Sequence, residues 1–235
     1  MRKRLYVLFV FIVLFSDAFA QKKTNILFVG NSLTYTNNIP ELVKLIASCD
    51  SIELNCNSLS HPNYALEDHW NDGVAAKEIK SKTYDFVVVQ QGPSSQTEGR
   101  LMLLNDGLRF ANLCKENQTQ LAFYMVWPAK ARSFDFPGVV ESYTMVADST
   151  KSILCPAGSA WLRVWQTFPQ FRLYGADEFH PNTSGSFLAA LVIYGSLMKK
   201  SELSFVEYSR FKKMGISNKD FQVLVQAAMQ TLAEK

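Results

Sequence analysis

Short apolar runs, each stopped by a glycine, a proline or a turn-rich loop, recur along the chain and alternate with stretches of helical spacing. The first run, 25–29, ends in Gly30 and reads as a buried strand. Residues 52–59 alternate apolar with polar, as a half-covered strand does. The β-branched run 84–89 reads as a central strand. It stops at Gln90-Gln91-Gly92-Pro93-Ser94-Ser95. Residues 121–127 form another buried strand, ended by Pro128, and 153–156 a short fifth. Between them the spacing predicts helices over 41–49 (with Pro40 suiting a first turn), 66–70, 74–82, 101–116 and 139–151. Three more follow, over 160–167, 187–198 and from Ser217 through 221–232, the last with Ser217 and Asp220 as a capping box.

Strands that alternate with helices imply parallel pairing through right-handed crossovers, and continuous apolar strands imply a sheet covered on both faces. The expected fold is α/β: a three-layer α/β/α sandwich, flavodoxin-like, with a mostly parallel sheet of about five strands. In such sheets ligands bind at the carboxyl ends of the strands. The loops starting at Gly30, Gln90 and Pro128 should therefore meet at one edge.

Residues 1–20 change the picture at the N-terminus. Arg2, Lys3 and Arg4 precede an apolar run over 5–15, and Ala18-Phe19-Ala20 suits signal cleavage before Gln21. The run is shorter than the roughly 20 residues a membrane span needs. An exported protein, periplasmic or extracellular, is expected, with an uncleaved anchor as the alternative. Residues 21–235 are then one domain, ample for a core. Losing residues 1–20 lowers the formal charge from +3 to +1. No basic patch argues for nucleic acid. Cys49, Cys56, Cys114 and Cys155 fit no zinc spacing. Cys49 and Cys56 are near enough in sequence for a bridge, whereas Cys114 and Cys155 suit buried thiols.

Three histidines occur, His61, His69 and His180, and only His180 has an acid three residues before it, in Asp177-Glu178-Phe179-His180-Pro181. An aspartate that orients an imidazole is half of a nucleophilic hydrolase. A candidate nucleophile is Ser32, in Gly30-Asn31-Ser32-Leu33-Thr34 just past the first strand. There its hydroxyl and its own N–H can both face the active edge. The G-x-S-x-G elbow, the G-x-G-x-x-G fingerprint and the phosphate-binding loop are all absent. His69, before Trp70, suits packing, and His61 a loop near the edge. Trp127, Phe134 and Phe136 follow the fourth strand and could stack on a sugar or an acyl chain. Scattered histidines suggest no metal site, and no cofactor is expected.

These blocks, in this order, resemble the SGNH (GDSL-like) hydrolases across nearly the whole of 21–235. The late block Asp177-x-x-His180-Pro181, followed by Ser184-Gly185-Ser186, carries the likeness most specifically. The resemblance implies Ser32 as nucleophile, His180 as general base and Asp177 as its partner. It also implies an oxyanion hole made from Ser32, a glycine of a second block and an asparagine of a third. Here the third block reads Gly92-Pro93-Ser94-Ser95, without the asparagine, so Gln90, Gln91 or Ser94 must stand in. Asn63 is the best-placed substitute for the second-block glycine, with Gly73 weaker. Losing one oxyanion donor lowers rates about 10²–10³-fold. Gln90 and Trp127 are expected to line the substrate site.

The function implied is a secreted serine esterase acting on acetyl or other short-chain esters, carbohydrate-linked ones included, through an acyl-enzyme. The substrate partner would be a small-molecule or glycan ester. A non-catalytic carbohydrate- or ligand-binding protein that retains the fold is the alternative. A flavodoxin-like cofactor binder would share the layers, but this chain has no phosphate-cradling loop.

Overall fold

The computed structural model describes residues 23–234. The signal-like segment lies outside the described residues. Five strands form one parallel sheet: β1 (Thr24–Gly30), β2 (Leu54–Ser60), β3 (Phe86–Val89), β4 (Gln120–Tyr124) and β5 (Ile153–Cys155). Their order across the sheet is β2-β1-β3-β4-β5, every neighbouring pair parallel. β1 and β3 are adjacent and buried on both faces, as their unbroken apolar runs require. β2 and β5 are the edge strands; in β2 only Leu54 is buried, and the alternation of its sequence is not matched by alternating burial.

The order fixes the layers. From β1 to β2 the chain steps one way across the sheet; from β2 onward it steps the other way. Right-handed crossovers must then lie on opposite faces. One face carries α2 (Ile39–Cys49), which follows the one-turn helix α1 (Ser32–Tyr35). The other carries α3 (Leu66–Asn71), α4 (Val74–Ser81), α5 (Thr97–Glu116) and α6 (Phe136–Thr150). After β5, α7 (Ala157–Thr167) and α8 (Thr183–Met198) return to the α2 face. α9 (Tyr208–Phe211) precedes α10 (Asn218–Ala233), which packs against α7 and α8. α8 is apolar all round because α2, α7 and α10 surround it, and it is buried from Gly185 to Leu197. One apolar cluster runs from Ile26 to Leu232.

The three-layer α/β/α sandwich with five strands is therefore present, with small boundary changes. The fourth strand ends at Tyr124, not Trp127. β5 has only three residues, so ladder pairing stops at Tyr124 with Cys155. Met125, Val126 and Trp127 still have no exposed surface, because they run beneath the start of α7. There Gly158 approaches so closely that a Cβ on it would lie 2.2 Å from the Val126 carbonyl oxygen. Among the described residues no helix is long and apolar enough to cross a membrane.

Candidate active site

The strand order reverses between β1 and β3, and the loops leaving their carboxyl ends flank that switch point. Asn31 is extended (φ −131°, ψ −153°) and caps α1, its side chain accepting from the Leu33 N–H at 3.0 Å. Ser32 is the first residue of α1. Gln90, immediately after β3 and 1% exposed, braces this turn. Its Oε1 accepts from the Asn31 N–H (3.0 Å) and the Thr34 hydroxyl (2.8 Å), and its Nε2 donates to the Gln91 carbonyl (2.5 Å). A Cβ at Gly30 would lie 2.4 Å from Thr34 Oγ1 and 2.7 Å from Gln90 Oε1, so only glycine fits before Asn31. Two more bonds hold the turn: Asn31 Nδ2 donates to the Tyr64 carbonyl at 2.9 Å, and His69 Nε2 to the Gly30 carbonyl at 2.8 Å. Burial pushes the His69 pKa down, so the ring stays neutral with its proton on the nitrogen facing Gly30.

His180 arrives on a second segment, closed on itself. Tyr174 and Pro181 bridge antiparallel, the Gly175 N–H donates to the His180 carbonyl (2.7 Å), and the Asn182 N–H donates to the Leu173 carbonyl (2.8 Å). Within the turn Asp177 Oδ1 accepts from the Phe179 and His180 amides at 3.1 and 2.9 Å. Its Oδ2 lies 2.5 Å from His180 Nδ1. The hydrogen bond from His180, then that from the Phe179 amide, hold the Asp177 carboxyl down at about 2. Two side chains from elsewhere fix the loop. Trp127 Nε1 donates to the Phe179 carbonyl (3.1 Å), and Asn37 Nδ2 donates to the Pro181 carbonyl (3.0 Å) and to Ser186 Oγ (2.9 Å).

The two segments meet where His180 Nε2 lies 2.8 Å from Ser32 Oγ. An ionised Asp177 accepts the Nδ1 proton, so Nε2 is left as an acceptor for the Ser32 hydroxyl. That is a serine poised to lose its proton to an imidazole whose charged form a carboxylate stabilises. The Ser32 N–H, first in α1, has no acceptor within the helix. The Leu33 amide goes to Asn31 Oδ1, and the Thr34 and Tyr35 amides go to the Asn31 carbonyl.

The other expected residues fall differently. Gln90 is not a lining residue; its polar atoms are spent inside, on the serine turn. Trp127 is likewise interior, with no exposed surface, and its ring stacks on Trp161 at 3.5 Å. Gln91 is 3% exposed, and its Nε2 donates to Ser94 Oγ (2.8 Å) and the Gly99 carbonyl (3.3 Å). Ser94 Oγ in turn donates to the Gly92 carbonyl at 3.1 Å. Neither side chain is therefore free to serve as an oxyanion donor. Asn63 is exposed with φ +62°, the backbone setting a glycine would favour. Gly73, at φ +71°, is the N-cap of α4. His61 packs its ring on Tyr64 at 4.8 Å. Phe134 is 73% exposed and Phe136 is buried. Cys49 and Cys56 are unbridged. Among the described residues no three His, Cys, Asp or Glu side chains gather as a metal would need. Sequence reasoning missed Asn37 as a clamp; the signal available was the pair Asn37-Asn38, a residue type that tolerates the left-handed backbone both adopt (φ +55° and +53°).

No protein-family model matches the chain, and no curated protein sequence matches it. Solved structures do. A provisionally assigned SGNH hydrolase from Slackia heliotrinireducens is 21% identical (TM-score 0.63), over 75% of this chain and 100% of that one. A DUF4886 family protein from Bacteroides uniformis is 16% identical (TM-score 0.73), over 90% and 95%. A variant of an acetyl xylan esterase from Geobacillus stearothermophilus is 14% identical (TM-score 0.51), over 78% and 96%. The chain thus has the SGNH hydrolase fold.

Proposed function

We propose that this chain, built on the SGNH hydrolase fold, is a serine esterase that cleaves short-chain carboxylic esters, acetyl esters on carbohydrate among them. The observation that carries the reading is the continuous relay from Ser32 Oγ through His180 to Asp177, at 2.8 and 2.5 Å. Ser32 Oγ attacks the ester carbonyl as His180 Nε2 takes its proton. The tetrahedral oxyanion accepts from the Ser32 N–H. His180 returns the proton to the leaving alcohol, and the acyl group stays on Ser32. Water, deprotonated by the same nitrogen, then releases the acid. The depressed Asp177 pKa supports an ionised partner throughout neutral pH. The acetyl xylan esterase of the same fold supports the acetyl-glycan substrate class. The sequence of residues 1–20 supports action outside the cytoplasm.

The competing reading is a non-catalytic binding protein, and the commitment of Gln91 and Ser94 to internal bonds favours it. Hydrolysis of p-nitrophenyl acetate separates the two. The native chain should turn it over, and Ser32→Ala and His180→Ala should each be slower by at least about 10³-fold. Equal rates for all three proteins would overturn the esterase reading.

A further inference from the structure

A cavity of about 790 Å³ lies against the loop that carries Asp177 and His180, yet neither Ser32 nor His180 lines it. Its walls come from the end of α7, from 169–178 and from the segment after β4. Trp165, Phe171 and Tyr174 supply aromatic carbon. Trp165 and Tyr174 stack at 5.6 Å, and their polar atoms are already used: Trp165 Nε1 donates to the Phe171 carbonyl (2.8 Å) and the Tyr174 hydroxyl to the Pro128 carbonyl (2.7 Å). What these rings offer a ligand is therefore ring surface. Across the same cavity Lys130 and Glu178 form an ion pair at 2.5 Å. Arg172 completes it. Its carbonyl is anchored by Asn182 Nδ2 at 2.9 Å, but its guanidinium has no ion pair or hydrogen bond among the described residues. The cavity thus holds two cations against one anion, and the unmatched one is an arginine.

We propose that this cavity binds a carboxylate-bearing sugar unit, so that the ester substrate is an acidic glycan. Aromatic surface packs on the C–H faces of a pyranose, and a guanidinium fork donates two parallel hydrogen bonds to a carboxylate. The cavity size is that of a small-molecule site. A long acyl chain would have to bury the Lys130–Glu178 pair and the Arg172 charge, which disfavours it. A small inorganic anion would leave the rings unused. Glu178 is the immediate neighbour of Asp177, so one loop would present the bound glycan and the histidine's partner together. As a statement about substrate this rests on the esterase reading; as a statement about binding it does not.

The test uses Ser32→Ala protein, which binds without turnover, titrated calorimetrically with trigalacturonate and with neutral xylotriose. Trigalacturonate should bind at least about tenfold more tightly than xylotriose, and more weakly as salt is raised. Adding Arg172→Ala should raise its Kd about tenfold or more, and Arg172→Lys should restore part of the loss. Arg172 is exposed, so an unchanged melting temperature checks that each variant is folded. Equal affinity for the two sugars, or an unchanged Kd in Arg172→Ala, would overturn the proposal. So would no binding of trigalacturonate by a chain whose native form hydrolyses p-nitrophenyl acetate, and the esterase reading would then stand alone. Arg172-dependent binding in a chain that hydrolyses nothing would keep the site and remove the esterase.

Discussion

At the scale of single residues, the serine turn depends on one buried amide more than on the serine itself. Gln90 Oε1 is the sole acceptor shown for both the Asn31 N–H and the Thr34 hydroxyl. Removing it leaves two donors in a turn where Asn31 is 7% and Thr34 1% exposed. Each unsatisfied buried group costs about 1–3 kcal/mol. Gln90→Ala should therefore lower unfolding stability by roughly 2 kcal/mol or more, measured in urea. If Gln90 positions Ser32, kcat for p-nitrophenyl acetate should fall much further than KM rises. A loss confined to KM would place Gln90 at the substrate after all. The family-like sequence pattern suggested an oxyanion donor at this block because side-chain type is visible in a sequence. Which way an amide points is not. Gly30 was legible as a strand stop, but its reason, the close approach of Thr34 Oγ1 and Gln90 Oε1, involves partners up to sixty residues away.

At the scale of elements, the strands and most helices were legible because apolar runs and helical spacing are local signals. The order of Ser32, the loop after β3 and the Asp177–His180 turn followed from the same pattern. The end of β4 was not legible, because residues 125–127 remain apolar after their ladder partner ends. That extra run matters for the site. It carries Trp127 into the interior, where the ring stacks on Trp161 and the Nε1 holds the Phe179 carbonyl. Trp127 therefore links the β4 end to the histidine loop and does not face a substrate. Trp127→Phe keeps an aromatic ring but deletes the donor, leaving the Phe179 carbonyl without its bond. The expected result is a loss of about 1 kcal/mol in stability together with a lower kcat and a nearly constant KM. A large rise in KM with unchanged kcat would show that the ring touches substrate.

At the scale of the whole molecule, the fold has to stand without cross-links if it acts where thiols oxidise. Its stability must then come from the apolar core, and Cys49, Cys56 and Cys114 sit where burial favours the protonated thiol. Cys49 lies in the last turn of α2, its thiol directed to the Leu45 carbonyl at 3.6 Å. Cys56 lies in β2, in register with Ile26 of β1. Burial pushes the Cys56 thiol up to about 12, and Cys114 likewise, while burial also raises Cys49. Only the thiolate attacks a disulfide or an oxidant, so these groups react slowly at neutral pH. A bridge between Cys49 and Cys56 would in addition have to displace either the end of α2 or the β1–β2 ladder. If residues 1–20 serve as a cleaved signal, protein purified from the exported fraction should begin at Gln21; independently of that, after unfolding without reductant both Cys49 and Cys56 should alkylate. Peptide mass mapping reads both results at once. A linked Cys49–Cys56 peptide would show that oxidation reshapes the edge strand, and an N-terminal peptide retaining residues 1–20 would leave the chain tethered at its apolar segment.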